Sequence, residues 1–307
     1  MKKIYLLLML GLMSFSLFAC NTAEKKEESQ KDIVTFQALN GEVEVPKNPK
    51  RVVVQNYPDE LQALGVEVFG TDSWSMANPY LKEEVPDLGT PSLNIERLLE
   101  INPDLIITVD QEQLADYEKI APTVLVNYQD FSNMNDSLDF FADLLNKEEE
   151  KELFLSEFNK EAEKQRERLK ERGISPENLT ISLIELSADK IYAYGSNFAR
   201  GGQSLTTGLG FKESKAMKKL SEGIGYAELN AENLDEFDAD YIFVDYKAAD
   251  SEQFKTLSSN PVWKKMKAVV SGQVISIDYD KVYFYGGPLA SQAQMDLYVD
   301  SLLEQLN

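Results

Sequence analysis

An internal repeat constrains the fold of this chain more than any other feature of its sequence. Residues 93–107 (LNIERLLEINPDLII) and residues 229–243 (LNAENLDEFDADYIF) align without a gap. Each segment has an asparagine suited to cap a short helix, then apolar residues at helical spacing, and finally a run typical of a buried strand. The repeat predicts two related lobes built on one α/β plan. The alternative is two unrelated helix–strand units of similar composition.

Apolar runs typical of buried strands alternate with segments of helical spacing through the rest of the chain. The predicted strands are residues 51–55, 104–109, 123–127, 180–185, 241–245 and 273–277. Alternation of this kind predicts mostly parallel sheets covered by helices. The predicted fold class is therefore α/β, with two Rossmann-like lobes.

One long helix is predicted between the two repeats. Residues 146–172 are dominated by Glu, Lys, Gln and Arg, which are strong helix formers, and Gly173 and Pro176 follow as helix stops. A narrow stripe falls at spacings of three and four residues, at Phe154, Phe158, Ala162, Gln165 and Leu169. The helix is expected to join an N-terminal lobe (33–145) to a C-terminal lobe (173–307). A coiled-coil arm is the alternative, although its apolar seam would be short and weak.

The first residues carry an export signal. Lys2 and Lys3 precede an almost uncharged apolar run over residues 4–18, which is the pattern of a signal peptide. The run is too short to cross a bilayer comfortably, since a membrane span needs about 20 apolar residues. We therefore predict that residues 1–19 are a signal peptide.

The signal ends in a sequence that resembles a bacterial lipoprotein cleavage box, Leu17-Phe18-Ala19-Cys20, with Phe18 unusual at its position. The resemblance implies that Cys20 becomes the lipidated first residue of the mature protein; the alternative is an ordinary signal peptide with a stray cysteine. Residues 20–32 are polar and charged, so they predict a flexible tether.

Composition excludes several classes of function. Asp and Glu outnumber Lys and Arg by 52 to 31, and the formal net charge of -21 argues against nucleic acid or an anionic lipid surface as the main partner. The chain has no histidine, which excludes His-ligated zinc or haem and Ser-His-Asp catalysis. The sequence also lacks a nucleophile elbow and a phosphate-binding glycine loop. We predict no catalytic residue, no metal site and no cofactor.

The chain resembles the metal-chelate class of binding proteins of ABC importers in its cleavage box, its tether, its two lobes and its long helix. Local phrases carry the resemblance along essentially the whole mature chain: RVVV at 51–54, NPDLII at 102–107, GSNFARGG at 195–202, NPVW at 260–263 and GPLAS at 287–291. The resemblance implies a monomeric lipoprotein on the extracytoplasmic face of the cell membrane. It implies that the protein captures a ferric siderophore and delivers it to an ABC permease dimer for iron uptake. Haem or cobalamin is the alternative ligand, and an extracytoplasmic α/β hydrolase, suggested by the acidic pair Asp278 and Asp280, is an alternative of another class.

The ligand site is expected in a cleft between the lobes, because ligands of open α/β sheets bind beyond the carboxyl ends of the strands. The loops after the predicted strands are rich in aromatic residues, which suit a large, partly apolar chelate. For each aromatic the alternative is core packing. The predicted ligand-binding residues are Tyr57, Trp74, Tyr128, Arg200, Lys247, Tyr283 and Tyr285.

Arg200 is singled out because similar siderophore binders place an arginine at this position of the FARGG phrase. The alternative is a surface arginine paired with a nearby carboxylate. The candidate loops contain Arg200, Lys247 and Lys281 as basic residues. Such mild basicity favours a neutral or weakly anionic hydroxamate complex slightly over a strongly anionic catecholate.

Glu96 and Glu232 occupy equivalent positions of the repeat. The resemblance implies that one glutamate of each lobe docks onto the permease dimer. The alternative is that each is a helix-start residue stabilised by the helix dipole.

Overall fold

The computed structural model describes residues 32–127, 130–187, 190–230, 232–247, 251–283 and 286–305. The predicted signal peptide, Cys20 and nearly all of the predicted tether lie outside the described residues, as do Tyr128 and Tyr285. Within the described ranges, no helix combines the length and the apolar character needed to cross a membrane.

The first lobe is built on a parallel sheet with strand order β4-β3-β5-β6. An antiparallel hairpin, β1 and β2, precedes it. Val52 and Val54 pack into one hydrophobic cluster and Val53 into another, as expected for a parallel strand that is buried on both faces. The strands are β1 (Ile33–Ala38), β2 (Gly41–Pro46), β3 (Val52–Val54), β4 (Val68–Gly70), β5 (Leu105–Thr108) and β6 (Thr123–Leu125). The helices are α1 (Pro58–Ala63), α2 (Ser73–Met76), α3 (Ile95–Ile101), α4 (Leu114–Tyr117) and α5 (Met134–Leu145).

The predicted long helix is α6 (Glu148–Glu171). Its buried positions are those of the predicted stripe, from Phe154 to Leu169. It packs against α5 and against the last helix of the chain, α11 (Pro288–Gln305). Gly173 follows in a left-handed conformation with φ 76°, which glycine adopts without steric cost at the end of a helix.

The second lobe has a mixed sheet with strand order β10-β8-β7-β11-β12, and β9 pairs with the start of β7. β11 is parallel to β7 and β12, whereas β8 is antiparallel to β7 and β10. The strands are β7 (Thr180–Ser187), β8 (Lys190–Tyr194), β9 (Lys212–Glu213), β10 (Tyr226–Leu229), β11 (Tyr241–Tyr246) and β12 (Val274–Asp278). The remaining helices are α7 (Lys215–Ser221), α8 (Ser251–Ser259), α9 (Lys267–Val270) and α10 (Tyr279–Val282).

The predicted α/β class and strands are confirmed, with β1, β2, β4, β8, β9 and β10 as additions. Residues from Asp32 onward form one compact unit, so the boundaries between lobes and connecting helix stay a prediction. The repeat differs in detail between the lobes. α3 precedes β5 in the first lobe, whereas a 3-10 turn (Leu234–Phe237) precedes β11 in the second. Asp238 follows the turn as its C-terminal cap residue, and its carboxylate accepts the backbone N–H groups of Lys267 and Ala268.

Candidate functional site

A tight turn in the second lobe points Arg200 into the protein. Ala199, Arg200 and Gly201 have successive φ values of 34°, 54° and 70°, a left-handed region that residues other than glycine rarely adopt. A Cβ on Gly201 would lie 2.0 Å from the Tyr298 ring, so this position requires glycine. The Tyr298 hydroxyl donates a hydrogen bond of 2.6 Å to the Arg200 carbonyl. The turn buries the guanidinium, and Arg200 is 1% exposed.

Two carboxylates on neighbouring strands receive this guanidinium. Glu185 on β7 and Asp245 on β11 are directly opposite in the parallel register, and they are 3% and 4% exposed. Glu185 Oε2 accepts from Nε and Nη2 of Arg200, and Asp245 Oδ2 lies 3.6 Å from Nε. Two negative charges at facing positions would destabilise the sheet. The positive charge of the guanidinium offsets this repulsion.

Burial and charge shift the titration of this group of side chains. Burial raises the pKa of Asp245 to about 8, although the positive charge of Arg200 opposes the shift. Burial alone would lower the pKa of Arg200, but the carboxylates of Asp245 and Glu185 outweigh it and raise that pKa. Arg200 therefore stays charged at every physiological pH, and Asp245 is the member that changes charge near neutrality.

The rings of Tyr194, Tyr279 and Tyr283 lie over the Arg200 guanidinium. Their centroids are 4.8, 5.5 and 4.7 Å from its Cζ atom, within the range of cation–π attraction. Lys247 Nζ lies 4.8 Å from the centroid of the Tyr279 ring. We call these tyrosines, with Arg200, the tyrosine cage. Tyr194 and Tyr279 are buried and Tyr283 is half-buried, so Tyr283 forms the most accessible side of the cage.

The strand ends of the first lobe are held by side-chain hydrogen bonds. Asp72 accepts the backbone N–H of Asn56 at 2.8 Å and those of Trp74 and Ser75 at 3.1 and 3.0 Å. These bonds join the loop after β3 to the start of α2. Trp74 is 61% exposed, so its indole faces solvent from a fixed backbone.

Tyr57 has a different environment. Its ring packs against Phe131 and Phe141, with centroid distances of 5.5 and 5.2 Å, and it belongs to the main hydrophobic cluster. Its hydroxyl donates a hydrogen bond of 3.4 Å to the carbonyl of Asn127. The structure thus places Tyr57 in the core of the first lobe, and its contact with ligand stays a prediction.

The predicted residues fall into separate groups. The structure brings together Arg200, Lys247 and Tyr283 in the second lobe, whereas Trp74 and Tyr57 belong to the first lobe. The prediction did not name Glu185, Asp245, Tyr194 or Tyr279. The single carboxylate inside each of the buried strands TISLIELS and YIFVDY was the available signal for the first two.

The remaining acidic candidates lie on the surface. Glu96, in the first turn of α3, and Glu232, just before the 3-10 turn, are both exposed. Asp278, of the suggested hydrolytic pair, caps α10 by accepting the backbone N–H of Asp280 at 3.1 Å, which is an ordinary structural role for a carboxylate.

Comparison with known proteins identifies the family. The family model described as periplasmic binding protein matches residues 52–280. The chain belongs to this family. The match confirms the resemblance to importer binding proteins, and it agrees with a binding protein of two α/β lobes.

Two relatives of this binding protein come from Bacillus subtilis (strain 168). The iron(3+)-hydroxamate-binding protein YxeB is 31% identical over 99% of this chain and 98% of its own length. The iron(3+)-hydroxamate-binding protein FhuD is 30% identical over 95% of each chain.

Solved structures share the fold. The FhuD protein from S. pseudintermedius has a TM-score of 0.74 at 24% identity, covering 88% of this binding protein and 98% of that chain. A FhuD-fold-family component of a Fep/Fec-like ferrichrome ABC transporter from Bacillus subtilis has a TM-score of 0.71 at 30% identity, covering 87% and 99%. These likenesses confirm the predicted fold class.

Proposed function

We propose that this binding protein captures a ferric siderophore of the hydroxamate class and delivers it to an ABC permease for iron uptake. The tyrosine cage carries the proposal, because it combines flat aromatic surfaces with a charged donor near the carboxyl ends of β7 and β11. Such a surface suits a large chelate that already fills the coordination shell of its iron. The relatives named as iron-hydroxamate-binding proteins support the same ligand class.

Arg200 supplies the charged hydrogen-bond donor for ligand oxygens in this proposal. In the structure the guanidinium is covered by rings, so a ligand reaches it when Tyr283, the half-buried ring, turns aside. Lys247 is exposed beside Tyr279 and adds a second cation at the edge of the cage. Trp74 and Tyr57 are the proposed contacts from the first lobe, and Tyr128 and Tyr285 complete the proposed set.

The remaining parts of the proposal concern delivery. Cys20 is the lipid anchor on the extracytoplasmic face of the membrane, and the protein acts as a monomer. Glu96 and Glu232 dock onto the permease, since both carboxylates are exposed and charged. The protein is a binder and performs no catalysis.

Native mass spectrometry of the purified protein tests the ligand class directly. The probes are ferrioxamine B, ferrichrome, a ferric tris-catecholate, haem and cobalamin. We expect one-to-one complexes with ferrioxamine B or ferrichrome and quenching of Trp74 fluorescence on binding. Quenching should be lost in Trp74→Phe and kept in Trp263→Phe, because Trp263 is buried in a hydrophobic cluster of the second lobe. Binding of haem or cobalamin without any ferric hydroxamate would overturn the proposal.

A further inference from the structure

The carboxylates around Arg200 exceed what is needed to neutralise one guanidinium. Glu185 already bonds Nε and Nη2. Asp245 lies 3.6 Å from Nε, and its Oδ2 atom has no hydrogen-bond partner among the residues that the structure describes. A buried carboxylate beside an already paired arginine costs desolvation energy, so its presence calls for a reason beyond stabilising the fold.

We propose that Glu185 and Asp245 form a charge filter that makes the tyrosine cage accept neutral ferric tris-hydroxamates and reject polyanionic ferric catecholates. This inference rests on the proposed function of the cage as the ligand site. Interactions between charges are strong in a buried, poorly solvated setting. A guanidinium without these carboxylates would attract any polyanion, whereas the compensated group presents hydrogen-bond donors with little net positive charge.

Asp245 is the adjustable member of the filter. Burial raises its pKa to about 8, so the negative charge of the cage increases between pH 7 and pH 9. The charged and titratable groups around it are Glu185 on β7, Tyr194 on β8, Arg200 on the turn, and Tyr298 on α11. Burial raises the pKa values of Tyr194 and Tyr298, so these phenols stay neutral in that window. Rejection of polyanions should therefore strengthen as pH rises through 8.

Competitive binding measurements test the filter. Dissociation constants of ferrichrome, which is neutral, and of a trianionic ferric tris-catecholate are measured at pH 7 and pH 9. The proteins are the wild type, Glu185→Gln and Asp245→Asn; each variant replaces a carboxyl group by an amide and keeps the shape of the side chain. Glu228→Gln is the matched control, since Glu228 is an exposed carboxylate of the same sheet paired with Lys190.

Glu185→Gln should improve tris-catecholate affinity about tenfold or more, from the size of charge interactions near a buried site. Asp245→Asn should give a gain of that size at pH 9, where Asp245 is charged, and a smaller gain at pH 7. Ferrichrome affinity should change less than about threefold. The preference of the wild type for ferrichrome should grow from pH 7 to pH 9 and stay constant in Asp245→Asn.

An unchanged preference in Asp245→Asn and Glu185→Gln, with normal ferrichrome binding and normal melting, overturns the filter. If Glu185→Gln fails to fold because Arg200 loses its main partner, Asp245→Asn decides the question alone. Failure of the proposed function gives a different result, because the wild type would then bind no ferrichrome at either pH. That result would overturn the filter as well.

Discussion

Asp59 of the first lobe caps the last helix of the chain at Leu289. Its carboxylate accepts the backbone N–H groups of Leu289 at 2.6 Å and Ala290 at 3.2 Å, and Asn78 donates to it at 2.9 Å. A Cβ on Gly287 would lie 2.4 Å from Asp59 Cγ, so a glycine permits this close approach. The contact joins α1 to the N-terminus of α11, where the helix dipole favours a negative charge.

We expect Asp59→Ala to lower the free energy of unfolding by about 1–3 kcal/mol, because it removes a helix cap and leaves buried donors without an acceptor. Asp59→Asn keeps one acceptor oxygen and should cost less. Urea denaturation measures both. Glu149→Ala, in the exposed first turn of α6, is the control and should stay close to wild type. A wild-type unfolding energy for Asp59→Ala would show that the cap does not hold the two lobes together.

Stability should fall as pH rises from about 6 to 8. Burial raises the pKa of Asp245 to about 8, well above the usual range of a carboxyl group, so the folded state holds a proton that the unfolded state has already released. The free energy of unfolding therefore falls between the ordinary carboxyl pKa of about 4 and the folded pKa of about 8 and levels off above it, with a limiting slope of about 1.4 kcal/mol per pH unit for one proton. Burial also raises the pKa of Asp59 to about 6, which makes the fall in stability steeper below about pH 6.

Denaturation curves of the wild type and Asp245→Asn between pH 6 and pH 9 check this expectation. The amide of the variant does not titrate, so its free energy of unfolding should depend less on pH. At pH 9 it should exceed that of the wild type. Equal slopes for the two proteins would mean that Asp245 titrates in its ordinary range.

Arg200→Ala should weaken binding of ferrichrome by about 1.5–3 kcal/mol, the cost of losing a charged hydrogen bond. The same change leaves Glu185 and Asp245 buried without their cation, so a lower melting temperature is expected as well. Arg200→Lys keeps the charge but loses the planar fork and should bind with intermediate affinity. Isothermal titration of folded variants measures the effect, with Lys190→Ala as the control. An unchanged dissociation constant in Arg200→Ala would remove this residue from the ligand site.

Glu96→Ala combined with Glu232→Ala should leave siderophore binding and folding intact and greatly lower iron uptake by cells. Exposed charges of this kind act mainly on encounter and register with a partner. Glu100→Ala combined with Glu236→Ala is a matched control, because these exposed glutamates occupy equivalent positions of the same repeat segments. Uptake of radioactive iron at equal expression is the measurement. Normal uptake by the Glu96→Ala, Glu232→Ala double variant would mean that these glutamates only stabilise the starts of their local helical turns, by about 0.3–1 kcal/mol each.

Cys20→Ala should abolish anchoring, since Cys20 is the only cysteine and the proposed site of lipidation. The variant should be released into the medium or remain unprocessed, whereas Ser16→Ala, just upstream in the signal, should anchor normally. Labelled fatty acid reports the modification. Incorporation of label into Cys20→Ala would exclude this cysteine as the anchor.

The sequence by itself determined the α/β class, the central strands and α6. These features depend on local patterns: β-branched apolar runs for buried strands such as Val52–Val54, and spacings of three and four residues from Phe154 to Leu169. The order of elements along the chain then limited the architecture to two α/β lobes joined by one long helix.

Only the tertiary structure decided which polar side chains work together. Glu185 and Asp245 meet because β7 and β11 pair in one particular register, and Arg200 joins them because a left-handed turn points it inward. Tyr57 is buried and Trp74 exposed, although both follow strands of the first lobe, β3 and β4. Asp59 meets Leu289, which lies 230 residues further along the chain. A local pattern reports the periodicity of one segment, whereas burial, cross-strand register and charge compensation depend on partners that are distant in sequence and become neighbours only on folding.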